Sequence, residues 1–339
     1  MTDCKKAIFV REYYLGQNAF QELPRLQEEY GGRGFFLVCR HLAQRVQSIA
    51  QNASCSLVFH EECTPKAIAK IQAAVQKAQA TVIFAVGGGK VMDAAKFVAT
   101  ALELPFITVP TSAATNACST RSTVLYTEDG VYDHSFYSPK NPDVVVVDSS
   151  IMAKAPARFL ASGMGDALAA YYEGLTCLKG GYENIGHGQQ PYFAKELGKI
   201  CDATLKKYGR AALQAVKEQK VTAALERILE AITLYSAIVY EASGTAGAHS
   251  IHNGMTIFPQ THALLHGEKV AFGVLASLFC NEEIPACEIE EVCSLCYDLG
   301  LPITFADLGL ANLSQEDLYT WSVAITKTPR GFKEKNGLD

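Results

Sequence analysis

Thr81-Val82-Ile83-Phe84-Ala85-Val86-Gly87-Gly88-Gly89-Lys90-Val91-Met92-Asp93-Ala94-Ala95-Lys96 is the stretch that decides the fold. Its apolar opening run shows no polar alternation, as expected of a strand covered on both faces in a parallel sheet. Three glycines follow at once, and a helical pattern then runs over residues 91–102. Glycines lack the Cβ that would keep backbone amides away from a pyrophosphate, and a helix N-terminus adds unpaired N–H groups and a positive dipole end. The loop is neither the usual G-x-G-x-x-G nor a Walker sequence, but its place between strand and helix sets it above a bare glycine cluster. Gly87, Gly88, Gly89 and Lys90 are candidate cofactor contacts. Asp93 joins them, although it stands three residues before Lys96 and the two can simply pair.

Working outward, similar runs occupy residues 7–10, 34–39, 56–60, 105–110 and 143–148, with helical patterns such as 65–78 between them. Strand and helix in alternation predict a doubly wound α/β domain ending near residue 155. From Ala157 onward strand signals stop, and helical patterns cover residues 190–208, 220–242 and 269–279. The chain thus reads as an α/β dinucleotide-binding domain, residues 1–156, and an all-α metal and substrate domain, residues 157–339, with the crossover at 151–160. Its 339 residues fit two cores better than one.

Hydrophobic residues make up 49% and charged residues 19% of the chain, and the net charge is −5. That balance argues for a globular protein and against a nucleic-acid or anionic-membrane surface. No apolar run approaches the roughly 18 residues of a membrane span. The opening Met1-Thr2-Asp3-Cys4-Lys5-Lys6 carries no signal-peptide pattern, and eleven scattered cysteines read as reduced thiols. A cytoplasmic enzyme of small molecules is the expectation. Cys293-Ser294-Leu295-Cys296 falls in a helical stretch without a second pair at zinc spacing and reads as buried helix cysteines.

Two further segments carry chemistry. After the strand at 105–110 comes Thr111-Ser112-Ala113-Ala114-Thr115-Asn116, at a strand's carboxyl end where open α/β sheets bind ligands. Thr111, Ser112 and Thr115 are candidate cofactor contacts, and Asn116 is a candidate substrate contact. Later come Gly247-Ala248-His249-Ser250-Ile251-His252-Asn253-Gly254 and His262-Ala263-Leu264-Leu265-His266-Gly267-Glu268-Lys269, with Asp166 upstream in a small, apolar helical start. One carboxylate and two imidazoles make a divalent-metal site with positions left open for a substrate oxygen. Spacing alone leaves the pair undecided. His249 and His252 share a helical face, whereas His249 and His266 must converge across a turn near Pro259.

These motifs, taken in order, resemble the glycerol dehydrogenase branch of the iron-containing, or group III, alcohol dehydrogenases. The resemblance rests on Gly87-Gly88-Gly89-Lys90 with Asp93 and Lys96, Pro110-Thr111, Asn141-Pro142, Ala155-Pro156-Ala157-Arg158, Gly165-Asp166-Ala167-Leu168, Ala248-His249 with His252-Asn253-Gly254, and His266-Gly267-Glu268-Lys269. It spans nearly the whole chain. It implies the dehydroquinate synthase-like architecture, NAD(P) as cofactor, and a divalent metal, Zn²⁺ before Fe²⁺, on Asp166, His249 and His266. It also implies an active site in the cleft between the domains. His252 then lies near the substrate or behind the ligands, as a catalytic rather than a ligating residue. The implied reaction is hydride transfer between nicotinamide and a small alcohol or polyol, in a homo-oligomer.

Three positions depart from the family pattern. Arg40 stands where an aspartate usually holds the adenosine ribose, so NADP(H) is expected to be accepted. Asn116 replaces an aspartate of the substrate loop; its added NH₂ donor is expected to weaken glycerol binding and favour carbonyl or carboxylate oxygens. Residues 329–339 are polar and loop-like in place of the last helices, so that edge is expected to be open or completed by a neighbouring subunit. The alternatives on the same scaffold are a 2-oxo acid reductase and a dehydroquinate synthase-like lyase. The lyase reading would need a cluster of basic residues at the metal, and only Lys269 is evident.

Overall fold

The computed structural model describes residues 4–49, 55–129 and 132–326. By backbone proximity the chain divides into two compact units, one of them Phe9–Ser112 with Ala117–Ala155. Residues 329–339, expected to form a loop-like edge, lie outside the described residues.

The α/β unit alternates as its apolar runs predict. In chain order it holds β1 (Glu12–Gly16), α1 (Leu23–Glu29), β2 (Gly34–Val38), α2 (Ala43–Ile49), β3 (Cys55–Val58), α3 (Pro65–Lys77), β4 (Val82–Gly87) and α4 (Gly89–Ala101). Then follow β5 (Phe106–Pro110), β6 (Ser122–Tyr126), β7 (Tyr132–Tyr137), β8 (Val144–Asp148) and the single turn α5 (Ser149–Met152). Six strands form one parallel sheet in the order β1-β8-β5-β4-β2-β3. β2, β4, β5 and β8 are buried throughout, which is why their sequences do not alternate. Phe36 of β2 stacks on Phe84 of β4 with ring centroids 4.4 Å apart. From β2 the chain turns to β3 on one side and returns to β4 on the other, so the topological switch lies between β2 and β4.

Two strand readings need correction. Residues 7–10 form no strand, and Phe9 is exposed. The first strand is β1, whose residues are only partly buried because it is the sheet's edge; its polar Glu12 and Tyr14 mask it in sequence. The hairpin β6–β7 also escaped the sequence reading, because its buried side chains alternate over one short run. Its base is fastened to α4 by a buried lysine. The Lys96 ammonium, without solvent exposure, pairs with Asp93 at 2.9 Å and donates to the carbonyls of Ala117 and Ser122.

The second unit gathers residues 4–8, Ala113–Asn116 and everything described from Pro156 onward. The division drawn from sequence at 156/157 had placed the first two of these segments in the α/β domain. This unit comprises α6 (Ala157–Gly180), α7 (Tyr192–Lys217), α8 (Ala223–Glu230), a π-helical stretch (Ala231–Tyr235), α9 (Ser236–Ser243), α10 (Gly247–Gly254), α11 (His266–Phe279), α12 (Ala286–Leu299) and α13 (Gln315–Thr326). None of the described helices is long and apolar enough to cross a membrane. No disulfide joins the cysteines of the described residues. Cys293 and Cys296 lie on α12, where burial pushes the Cys296 thiol up to about 12 and away from thiolate chemistry.

Asp166 sits in the third turn of α6, not at the helix start that its small neighbours suggested. Those small residues have another purpose. A Cβ on Gly163 would lie 1.8 Å from the Ala113 carbonyl oxygen, and one on Gly267 would lie 1.8 Å from that of Ser162. Backbone therefore packs on backbone where α6 meets the loop at Ala113 and the first turn of α11, and no side chain other than hydrogen fits. Across the turn between α10 and α11, Trp321 of α13 packs on Phe258 and Phe272 and donates to the Ile251 carbonyl at 3.4 Å.

Gly267→Ala is expected to destabilise the protein by about 3 kcal/mol or more, since neither backbone can retreat within a packed bundle. Thermal melting of the variant beside the parent measures this; a transition within a degree of the parent would show that the contact yields.

Candidate functional site

α6, α10 and α11 each contribute one polar side chain to a common point. Asp166 Oδ1 lies 3.1 Å from His266 Nε2 and 3.6 Å from His249 Nε2. Ligand atoms of the three residues all fall within 4.8 Å of one another. A tetrahedral ion with bonds of about 2.0–2.1 Å requires ligand atoms spaced about 3.3 Å apart, a value the two short separations bracket. Asp166 is almost wholly buried, and the histidines are partly exposed. Such a set can hold a divalent cation with one side left open.

Each histidine is aimed by a partner on its other nitrogen. Glu173, two turns after Asp166 on α6, meets His249 Nδ1 at 2.6 Å with one carboxylate oxygen. Its other oxygen accepts the backbone N–H groups of Ala246 (2.7 Å) and His249 (3.0 Å), so it also holds the start of α10. A carboxylate can only accept, so His249 donates from Nδ1 to Glu173, and Nε2 is the nitrogen that faces Asp166 and that a metal would take in place of a proton. His266 Nδ1 faces His252 Nε2 at 3.2 Å, and His252 Nδ1 faces Asn253 Oδ1 at 2.9 Å. With Asn253 Oδ1 as acceptor, each ring donates from Nδ1, and His266 Nε2 is the nitrogen turned to Asp166 Oδ1, which accepts from it at 3.1 Å; a metal would take that proton's place. His252 thus stands behind His266.

Electrostatics favour a cation here. Burial alone would raise the Asp166 carboxyl, but His266 and His249 hold it well below the usual carboxylate range. Glu173 is lowered against its own burial by His249 and two backbone N–H groups. Burial opposes a charged His249, yet Glu173 and Asp166 push it up to about 10. Two buried carboxylates must be matched by positive charge, and a divalent ion supplies it in place of protons. At the entrance of α11, Glu268 accepts Leu265 N–H at 2.7 Å and is held by Arg158 through bonds of 2.6 and 2.7 Å. That pair fixes the turn from which His266 projects, and it also occupies Arg158.

Glu173 was not singled out from sequence. Its signal is an acidic residue two helical turns from Asp166 on an otherwise small and apolar face.

In the α/β unit, Gly87 ends β4, and Gly88 and Gly89 open α4. Apart from the adjoining residues and the helix's own backbone, no atom lies within 4 Å of where a Cβ on Gly88 or Gly89 would stand. The protein's own packing does not demand glycine there, so the space is available to a ligand at the helix N-terminus. Thr111 N–H donates to the Gly87 carbonyl at 3.1 Å, which ties the end of β5 to the loop. Ser112 follows it, partly exposed. Lys90 is exposed and paired with Glu62. Asp93 faces the hairpin instead of an open loop, bound to Lys96 and to Val124 N–H. Arg40 is exposed in the 3₁₀ turn after β2, beside Cys39, whose N–H donates to the Val86 carbonyl at 2.8 Å. Arg40 and the glycines therefore flank the same switch point.

Thr115 and Asn116 belong to the segment grouped with the helices. Asn116 Nδ2 donates to Ser236 Oγ at 3.3 Å, and Ser236 Oγ donates to the Ile232 carbonyl at 2.8 Å. The sequence reading offered this NH₂ to a substrate carbonyl or carboxylate. In the folded protein it is engaged by the π-helical region, so that argument against polyols loses its donor.

Residues 11–149 match the family model of iron-containing alcohol dehydrogenases. The chain is 41% identical to the glycerol dehydrogenase of Thermotoga maritima over 319 residues, 92% of this chain and 86% of that one. It is 32% identical to a glycolaldehyde reductase of Halobacterium salinarum, covering 90% and 86% of the two chains. The crystal structure of glycerol dehydrogenase from Schizosaccharomyces pombe superposes with a TM-score of 0.90 at 31% identity, covering 99% of this chain and 87% of that one. With identity of this level along nearly its whole length, the chain belongs to the iron-containing alcohol dehydrogenase family.

Proposed function

We propose that this protein is a metal-dependent, NAD(P)-linked polyol dehydrogenase of the glycerol dehydrogenase type. The observation that carries the reading is that two imidazole Nε2 atoms, each with its Nδ1 held by a partner, converge on one oxygen of the buried Asp166. Asp166, His249 and His266 would hold the metal, and the donor set of two nitrogens and one oxygen suits Zn²⁺. When bound, the metal would supply Lewis acidity to a substrate hydroxyl and the nicotinamide would supply a hydride acceptor for its carbon, the hydroxyl proton being released.

The chain's own residues prepare that chemistry. Glu173 fixes the ring plane and tautomer of His249, and His252 does the same for His266, so neither ligand must reorganise. Gly88 and Gly89 leave room for a pyrophosphate against the N-terminal amides of α4. Arg40, in the turn after β2, would meet the adenosine ribose, where a guanidinium suits a 2′-phosphate. Arg158 is taken by Glu268 and so is not free to receive an anionic substrate, which favours polyols over 2-oxo acids.

Purified protein is expected to carry zinc, and His266→Ala to lose both metal and activity while keeping its fold. Glu173→Gln should retain the ligands but bind metal about 10–100-fold more weakly. Elemental analysis and circular dichroism decide this; parental metal content in His266→Ala refutes the ligand assignment.

Gly88→Ala should leave the melting temperature nearly unchanged, because the new methyl meets no protein atom, yet weaken nicotinamide dinucleotide binding about tenfold or more. Fluorescence titration measures it, and unaltered affinity would place the pyrophosphate elsewhere. Arg40→Asp should lower kcat/KM for NADP(H) by about tenfold or more relative to NAD(H), since it exchanges attraction for repulsion at the 2′-phosphate. An unchanged ratio of the two efficiencies would remove Arg40 from the cofactor site.

A further inference from the structure

The loop Ala113–Asn116 rests on α6 one turn before Asp166. Ser162 Oγ donates to the Ala114 carbonyl at 3.3 Å, and Gly163 leaves no room for a Cβ beneath the Ala113 carbonyl. Gly267, next to His266, lies against the Ser162 carbonyl on the same turn. The segment that ends at Asn116 is therefore anchored on the turn of α6 that precedes Asp166, within the same helical unit.

Which end of the Asn116 amide faces outward follows from the chemistry of its partner. Ser236 is buried, and its Oγ lies 2.8 Å from the Ile232 carbonyl, a group that only accepts. The serine proton must go there, so Ser236 has only lone pairs to offer Asn116. The amide satisfies them with its NH₂ and turns Oδ1 away. Asn116 is half-buried, and its Oδ1 accepts no hydrogen bond from any described residue. Ile232 and Tyr235 belong to the π-helical stretch, the kind of irregularity that recurs at functional sites.

We infer that Ser236 is a specificity-determining positioning residue, which locks Asn116 so that a carbonyl oxygen faces the substrate and a vicinal diol is selected. The inference rests on the polyol dehydrogenase reading and deepens it. One hydroxyl of the diol goes to the metal site; its neighbour donates to Asn116 Oδ1. A 2-oxo acid would set carboxylate oxygens, which only accept, against an oxygen that also only accepts. Asparagine thus serves as a hydroxyl acceptor without a charge, and Ser236 holds it in that role.

The test compares propylene glycol, a vicinal diol, with propanol, its monohydric counterpart, using zinc-loaded enzyme and NAD(P). In Ser236→Ala the amide is free to flip, and the diol-to-monohydric ratio of kcat/KM is expected to fall about tenfold, the equivalent of ~1.4 kcal/mol. Ser236→Thr keeps the hydroxyl and should restore the ratio. In an Asn116→Asp background the carboxylate has no donor end to flip, so adding Ser236→Ala should change the ratio less than about twofold. An equal loss on both alcohols in Ser236→Ala, or an equal loss of the ratio with aspartate at 116, would mean that Ser236 is merely structural and would overturn the inference alone. A parent enzyme that oxidises neither alcohol would overturn the polyol reading and the inference with it.

Discussion

The backbone contact between α6 and the first turn of α11 is the constraint on which the candidate site depends. Helices with side chains between them ordinarily lie about 8–10 Å apart at their axes. At Gly267 and Gly165 the carbonyl oxygens of Ser162 and Gly267 occupy the space a Cβ would need, so the two segments meet directly. At that approach the side chains of Asp166 and His266 place their atoms 3.1 Å apart. α10 is drawn in by Glu173, whose carboxylate holds its first backbone N–H groups and the ring of His249 together. Packing and polar anchoring act on the same three helices.

The chemistry of the cluster follows from burial. A carboxylate taken out of water is tolerated only when paired and hydrogen-bonded. Asp166 and Glu173 meet that condition through the two histidines and the start of α10, and the arrangement fixes tautomers as a by-product. Ring orientation and local stability are thus coupled: a change that loosens Glu173 would disturb both. Arg158 and Glu268 extend the coupling to the turn preceding His266. In the α/β unit the same logic uses opposite charges. Lys96, buried without exposure, satisfies two carbonyls and Asp93, and so fastens the hairpin to the helix that opens at Gly88 and Gly89.

Sequence alone carried the fold class, because a parallel sheet covered on both faces leaves unbroken apolar runs, and because glycines between such a run and a helical pattern mark the turn from strand to helix. It found five of the six strands of the sheet. It missed β1, since an edge strand need not be apolar, and it took residues 7–10 instead. It placed the phosphate-type loop correctly within the α/β unit, and it nominated Asp166, His249 and His266 through resemblance to a family whose membership the comparisons bear out.

What sequence could not determine was which side chains face one another. The spacing of His249 and His252 was compatible with a shared ligand face; only the turn held by Trp321, Phe258 and Phe272 brings His266 to Asp166 and sets His252 behind it. Glu173 was invisible as a partner of His249 because the two are far apart in the chain. The direction of the Asn116 amide likewise depended on Ser236, which opens α9, far from that loop in the chain. Local pattern determines periodicity and burial, which are properties of neighbours in sequence. Hydrogen-bond direction and metal geometry depend on atoms brought together by packing, and those only the tertiary structure decided.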